Sequence, residues 1–169
     1  SSIIAHKGAE AAEDWTKGVV ANFRQAPQGN DTAMIEAIAA GQCRISLVNT
    51  YYLARYAAGE AAQKAIAGKV GVIFPDQSGT GTHVNVSGAG VVKTAPNRAN
   101  AVKFLEYLTS DSAQRYFADG NNEYPAATGL KANSAVEALG TFKADTLSVA
   151  DIGKRQAEAV TIFDRAGWN

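Results

Sequence analysis

The sequence has 169 residues, of which 46% are hydrophobic and 19% are charged. This composition can form an ordinary hydrophobic core and excludes a disordered or fibrous chain. Sixteen Lys and Arg residues balance sixteen Asp and Glu residues, so the formal net charge is zero. A chain with no excess of positive charge is poorly suited to bind nucleic acid or an acidic membrane surface. We therefore expect no nucleic-acid partner.

No apolar run in the sequence resembles a membrane span. The longest runs, such as 70–74, fall far short of the roughly 20 residues that a transmembrane helix needs. No basic segment followed by an apolar stretch opens the sequence, so any targeting signal has been removed or was never included. We expect a soluble protein with no direct membrane insertion. The single cysteine, Cys43, excludes an internal disulfide and a cysteine-rich zinc site.

The first part of the sequence alternates predicted helices with a predicted strand. Apolar residues at helical spacing predict helices over 9–22 and 30–40. Residues 45–48 form a short apolar run that is typical of a buried strand. Asn49 and Thr50 are the candidate caps of the next helix, so strand passes directly into helix at this point.

The remaining sequence continues the alternation. Residues 70–74 and 83–92 are predicted strands, the second with a bulge or a close backbone approach at its glycines. Helices are predicted from residue 97 and over 111–119, and a last long helix is predicted over 149–166. Short strands that alternate with helices predict an α/β fold with at least a partly parallel sheet.

One interruption of the strand pattern predicts two lobes. The pattern that starts at residue 70 is broken at 76–81 and resumes differently at residue 83, as expected where a chain crosses from one lobe to another. Residues 127–135 are the candidate return crossing.

Two adjacent tyrosines at a predicted strand-to-helix junction form the sharpest candidate site. Asn49 and Thr50 precede Tyr51 and Tyr52, which fall in the first helical turn. The positive end of a helix dipole would favour ionisation of a phenol there. Two phenolates are hard anionic ligands that suit ferric iron better than zinc or copper. Spacing alone leaves a second interpretation open, in which both rings only pack as ordinary aromatic residues.

Several strings, in order along the chain, are similar to the periplasmic ferric-ion-binding proteins, the substrate-binding components of ABC iron transporters. These strings are residues 29–33, 39–41, 49–52, 81–90, 121–125 and 164–168. The resemblance implies a type II periplasmic-binding (clamshell) fold that binds Fe3+ in an interlobe cleft and delivers it to a membrane permease. It implies that Tyr51 and Tyr52 are metal ligands.

The resemblance also implies an anion site beside the iron. Asn49 and Asn30 match positions that suit a synergistic anion such as carbonate or phosphate. His83 is expected to be structural and not a ligand, and Glu123 with Tyr124 is expected to brace the cleft.

Complete members of this family are roughly twice as long as this sequence, which therefore resembles their C-terminal half. On this basis the resemblance assigns 1–81 to part of the second lobe, 82–131 to part of the first lobe, and 132–169 to the return into the second lobe. The missing N-terminal half would be a partner and would carry the remaining iron ligands.

Two competing functions remain at this point. The protein could be a periplasmic carrier of another anion or small metabolite, with the tyrosines stacking on the ligand. It could also be an enzyme with the clamshell fold, for which His83 with Asp76 or Glu123 would be the acid–base candidates. No nucleophile, phosphate-loop or zinc motif supports an enzyme, so we expect a non-enzymatic carrier.

Overall fold

The computed structural model describes residues 1–27 and 29–168. Over this part of the chain it contains ten helices: α1 (Ser2–Lys7), α2 (Ala9–Ala21), α3 (Asp31–Ala39), α4 (Thr50–Ala58), α5 (Ala61–Ala67), α6 (Arg98–Leu108), α7 (Asp111–Asn121), α8 (Ser134–Glu137), α9 (Val149–Gly153) and α10 (Gln156–Ala166). None of these helices has the length and apolar character needed to cross a bilayer.

Local sequence signals place most of the helices correctly. Asn30 caps α3, because its side-chain oxygen accepts a hydrogen bond from the Ala33 N–H at 3.1 Å. The predicted helix over 149–166 is wrong as a single element, since it divides into α9 and α10 after Gly153, a residue of low helix propensity. The short helices α1, α5 and α8 were not predicted from the sequence.

The predicted strands are wrong as members of a paired sheet. Within residues 1–27 and 29–168, the structure contains one isolated parallel β-bridge, between Thr82 and Ala144. No β-ladder of hydrogen bonds forms along the segments 45–48, 70–74 and 83–92. A strand is held by hydrogen bonds to a neighbouring strand, and no other described segment provides that neighbour. Apolar side chains of these segments are consequently exposed, among them Ile45 (76%) and Ile73 (79%).

The chain divides into two compact units, which we call unit 1 and unit 2. Unit 1 contains Ser1–Gln28, Ile73–Val86 and Phe142–Asn169, and unit 2 contains Gly29–Val72 and Ser87–Thr141. The boundaries of these units differ from the predicted lobe boundaries at residues 81 and 131. The assignment of residues to lobes of a larger protein therefore stays a prediction.

The core of unit 1 lies where α1, α2 and α10 pack together. It consists of the buried residues Ile4, Ala12, Ala159 and Ile162. Two of these are alanines, which allows the helices to approach closely but supplies little apolar surface.

A buried carboxylate ties α1 to the segment before α9. The Asp145 side chain is only 4% exposed. Its Oδ2 accepts hydrogen bonds from Ser2 Oγ (2.9 Å) and from His6 Nε2 (2.8 Å), and its Oδ1 accepts one from the Leu147 N–H (3.0 Å). Burial alone would raise the pKa of Asp145, but the hydrogen bonds from His6, Leu147 and Ser2 together hold it below its ordinary value.

The single β-bridge depends on a glycine. Gly81 is buried and has a φ of +103°. A Cβ atom at this position would lie 2.7 Å from the backbone carbon of Ala144. Thr82 then donates its N–H to the Lys143 oxygen at 2.9 Å and accepts from the Asp145 N–H at 2.8 Å. Only a residue without a side chain fits this approach of the two backbones.

The core of unit 2 positions α4. Ile35 from α3 and Val136 from α8 are fully buried, and Leu53 and Tyr56 from α4 are each 6% exposed. The Tyr56 hydroxyl donates a hydrogen bond to Glu36 Oε1 at 2.5 Å, which joins α4 to α3. This packing fixes the N-terminal turn of α4, which carries the tyrosine pair.

Candidate metal centre

Helix α4 begins directly after Asn49, which is one of its two candidate caps. Asn49 has an extended backbone (φ −74°, ψ 141°) and is the N-cap, so Thr50, the other candidate, is the first helical residue. The Tyr52 N–H donates to the Asn49 oxygen at 3.3 Å. Tyr51 and Tyr52 lie in the first helical turn, as the sequence predicts.

The two tyrosine rings lie against each other. Their centroids are 4.4 Å apart and their planes are inclined by 35°. Both residues are half-buried, so their phenol groups are not sealed inside a core. The two phenol groups are neighbours at a helix start that solvent can reach. One cation could therefore contact both phenol oxygens.

The electrostatic surroundings of Tyr51 are negative. A hydrogen bond with Tyr52 is the main cause that raises the pKa of Tyr51 above 10.0, and burial and the charges of Tyr52, Asp31 and Glu123 raise it further. The expectation that the helix dipole would favour its ionisation is therefore not met. The hydrogen bond with Tyr52 and burial both favour the neutral phenol, and they act against the partial positive charge of the helix end. The carboxylates of Asp31 and Glu123 favour the approach of a cation.

Arg55 places a positive charge beside the pair. Its guanidinium carbon lies 5.3 Å from the centroid of the Tyr52 ring, a cation–π contact. Positions 52 and 55 are three residues apart on α4, so their side chains are neighbours on the helix surface.

The two asparagines proposed for an anion occupy helix starts in unit 2. Asn30 uses its side-chain oxygen to cap α3 and keeps its amide group for other partners. The Asn49 side-chain nitrogen donates to Asp31 Oδ2 at 3.3 Å. An anion that binds Asn49 must therefore compete with a carboxylate. The anion-binding role of both residues stays a prediction.

The other singled-out residues are distributed over the two units. Glu123 lies close enough to Tyr51 to affect its pKa, whereas His83 is exposed and belongs to unit 1. Burial raises the pKa of Tyr124. In the described ranges 1–27 and 29–168, no three His, Cys, Asp or Glu side chains converge as a metal cluster. Free Cys43 is half-buried.

The tyrosine pair was predicted from the sequence, but its proximity to Asp31 and Arg55 was not. Asp31 lies twenty positions before Tyr51, so only tertiary structure shows their proximity. Arg55 could have been found from its spacing of three residues from Tyr52 on a predicted helix.

Comparison with known proteins places the chain in a family. Residues 5–144 match the family model "Bacterial extracellular solute-binding protein". The chain is 52% identical to iron uptake protein A1 of Synechocystis, over 99% of this chain and 47% of that protein. The chain therefore spans about half the length of this curated relative.

Solved structures give the same assignment of the fold. A Trichodesmium protein (IdiA, FutA) in complex with iron and citrate superimposes with a TM-score of 0.93 at 50% identity, over 99% of this chain and 54% of that chain. The ferric binding protein of Campylobacter jejuni gives a TM-score of 0.94 at 34% identity, with the same coverage of both chains. These similarities confirm the predicted clamshell solute-binding fold, of which this chain supplies about half.

The comparisons also decide between two classes of protein. The relatives are named for iron uptake and ferric-ion binding, and the family model describes binding proteins. The predicted enzyme alternative is therefore rejected. This chain belongs to the bacterial extracellular solute-binding protein family.

Proposed function

We propose that this chain is part of a ferric-iron-binding protein in which Tyr51 and Tyr52 bind Fe3+ through their phenolate oxygens. The observation that carries the proposal is the tyrosine pair itself: two half-buried rings, 4.4 Å apart, in the first turn of α4. The similarity to iron uptake protein A1 and to the Trichodesmium complex with iron and citrate supports iron as the ligand.

The chemistry of the pair suits a hard trivalent cation. Phenolate oxygens are strong donors to such a cation, and a bound cation lowers the pKa of its own ligands. Iron binding would thus overcome the raised pKa of Tyr51. Asp31 and Glu123, whose charges act on Tyr51, would attract the cation to the pair. Binding would release protons, so iron affinity should fall in acid.

The remaining ligands would come from outside this chain. The missing N-terminal half would supply first-lobe ligands, and a synergistic anion such as carbonate or phosphate would complete the coordination. Asn30 and Asn49 are the residues that we propose for the anion, because both lie at helix starts in unit 2. In this assignment 1–81 and 132–169 belong to the second lobe and 82–131 to the first.

We place the whole protein in the periplasm, where it would deliver iron to the permease of an ABC transporter. The family description as extracellular solute-binding proteins supports this location. Recognition would use the protein surface, so the protein should not float with protein-free lipid vesicles.

The test uses the full-length protein loaded with ferric citrate and then desalted, with retained iron measured per protein. Removing a group that only orients a metal ligand lowers metal affinity about 10- to 100-fold. Because Tyr51→Phe with Tyr52→Phe removes two proposed ligands, the double variant should lose more than about 100-fold in iron affinity. Tyr116→Phe is the matched control, because Tyr116 is 75% exposed on α7 and should retain iron like the wild type.

Two outcomes would contradict the proposal. Equal iron retention by the double variant and the wild type would make the tyrosines structural. Failure of the wild type to retain iron, together with tight binding of a colourless anion or metabolite, would favour the alternative carrier.

A further inference from the structure

A short segment after α7 carries an acidic side chain whose charge reaches the tyrosine pair. We call residues 122–127 the strap. Its first residue, Asn122, ends α7 in a left-handed conformation (φ 58°, ψ 45°), which asparagine tolerates better than most residues. Asn122 is buried, with 8% of the residue exposed. This turn ends the helix and leads the chain into Glu123.

Asn133 anchors the first end of the strap. Its Nδ2 donates hydrogen bonds to Asn122 Oδ1 at 3.0 Å and to the Ala118 oxygen at 2.9 Å. Its Oδ1 accepts from the Val136 N–H at 3.0 Å and thereby caps α8. One side chain therefore joins the end of α7, the start of the strap and the start of α8.

Gln114 on α7 anchors the other end of the strap. Its Oε1 accepts hydrogen bonds from the Ala126 N–H at 2.8 Å and from the Ala127 N–H at 3.4 Å. Its Nε2 donates to the Leu108 oxygen at 2.8 Å, which fixes the side-chain amide between α6 and the strap. Side-chain amides therefore hold the strap at both ends, and removing one would release the strap without breaking a backbone hydrogen bond of α7.

The Glu123 carboxylate acts on the tyrosine pair through its charge. The hydrogen bond with Tyr52 is the main cause that raises the pKa of Tyr51, and the charge of Glu123 adds to the increase. Among the described residues, the half-buried Glu123 side chain makes no hydrogen bond or salt bridge. Its charge is therefore not neutralised by an ion pair in that part of the chain. Because it makes no hydrogen bond with Tyr51, its carboxylate is not in direct contact with the phenol.

We propose that the strap is an electrostatic support for the iron site, which holds the Glu123 carboxylate beside Tyr51 and Tyr52 so that its charge strengthens Fe3+ binding from outside the ligand set. Gln114 and Asn133 are positioning residues that act through Glu123. A negative charge that opposes ionisation of a phenol favours a cation at the same place, and the attraction grows with the charge of the cation. The inference rests on the proposed function, in which the two tyrosines supply iron ligands.

The charge is tested in the full-length protein by competition with nitrilotriacetate for Fe3+. We expect Glu123→Gln to lower iron affinity about tenfold, the order of magnitude for one unit charge several ångströms from a trivalent cation in a solvated site. Glu123→Asp retains the charge and should retain most of the affinity. Glu106→Gln is the matched control, because Glu106 is exposed on α6 and is not one of the charges that act on Tyr51. The deficit of Glu123→Gln should shrink in about 1 M salt, where the Debye length falls to about 3 Å.

Positioning is tested with Gln114→Ala, which removes the acceptor for two amides of the strap. We expect faster hydrogen exchange at Ala126 and Ala127 and a lower iron affinity than in the wild type. In a Glu123→Gln background, Gln114→Ala should cause no further loss of affinity, since a residue that acts through the Glu123 charge then has no charge to position. Ser112→Ala, at an exposed position of the same helix, is the control and should change neither measurement.

Four results would overturn the inference. An iron affinity of Glu123→Gln equal to that of Glu106→Gln, or a deficit that persists unchanged in high salt, would remove the electrostatic role. A changed phenolate-to-iron absorption band in Glu123→Gln would make Glu123 a ligand. Wild-type exchange of the two strap amides in Gln114→Ala, a measurement that needs no iron, would remove the anchor. Iron retention by the double tyrosine variant would instead reject the proposed function.

Discussion

Replacing Gly81 by alanine should weaken the β-bridge between Thr82 and the segment 143–145. Gly81 combines a φ of +103° with a position where an added Cβ would lie 2.7 Å from the Ala144 carbon and 2.8 Å from the oxygens of Ala144 and Lys143. All three atoms belong to the backbone, so no flexible side chain can move aside. The two β-bridge hydrogen bonds of Thr82 follow directly after this contact.

The size of the effect follows from two costs and one gain. An alanine held at an unfavourable φ costs about 1–3 kcal/mol. Inserting a methyl group into a closed space costs a further ~1–3 kcal/mol. Alanine also reduces the conformational freedom of the unfolded chain, which stabilises the folded state by about 0.4–1 kcal/mol. We therefore expect Gly81→Ala to lower the free energy of unfolding by roughly 2–5 kcal/mol.

Urea denaturation followed by circular dichroism measures this change, with Gly88→Ala as the control. Gly88 has no heavy atom within 4 Å of an added Cβ and lies outside the left-handed backbone region. The control should match the wild type to within about 0.5 kcal/mol or be slightly more stable. A Gly81→Ala variant as stable as the control would refute the argument that this backbone contact requires glycine.

Three further predictions concern single contacts. Asp145→Asn should lower stability at neutral pH by about 2 kcal/mol because the buried carboxylate accepts three hydrogen bonds. The pKa of Asp145 in the folded protein lies below 3.8. Urea denaturation at a series of pH values should therefore show the full stability difference above pH 3.8, and the difference should close as the pH falls through the folded pKa. Tyr56→Phe should cost about 1 kcal/mol through the lost hydrogen bond to Glu36. That hydrogen bond raises the pKa of Tyr56 above 10.0. The stability difference between the wild type and Tyr56→Phe should therefore persist up to about pH 10 and vanish as the pH rises through the raised pKa, which urea denaturation at alkaline pH would measure. Arg165→Ala should leave the melting temperature unchanged, because its ion pair with Glu13 is largely exposed, and a large decrease would contradict this.

The helices could be predicted from local sequence because their signals are local. Asn30, Asp31 and Thr32 are all good N-cap residues before an apolar-periodic segment, and the structure shows that Asn30 makes the capping hydrogen bond. The break between α9 and α10 was missed, because the apolar positions on both sides of Gly153 continue the same helical spacing.

The strands could not be predicted as a paired sheet from this sequence, because pairing depends on a partner. The apolar runs at 45–48 and 70–74 have strand composition, yet within residues 1–27 and 29–168 they find no neighbour. The composition of an apolar run is a local property, whereas a ladder requires a second segment that the run itself does not specify.

The candidate site shows the same division between local and tertiary information. The position of Tyr51 and Tyr52 in one helical turn is a local property, and the sequence predicts it correctly. The hydrogen bond with Tyr52 and burial are the main causes that raise the pKa of Tyr51, against the direction expected from the helix dipole alone. The smaller contributions of Asp31 and Glu123 arise from tertiary proximity.

Visible absorption during ferric titration of the full-length protein at neutral pH reports directly on tyrosine–iron bonds. Two phenolates bound to Fe3+ should produce a phenolate-to-iron charge-transfer band in the wild type. Tyr51→Phe and Tyr52→Phe should each weaken or shift the band, their combination should abolish the contribution of the pair, and Tyr116→Phe should leave it unchanged. An identical band in the double variant and the wild type would contradict the assignment of Tyr51 and Tyr52 as iron ligands.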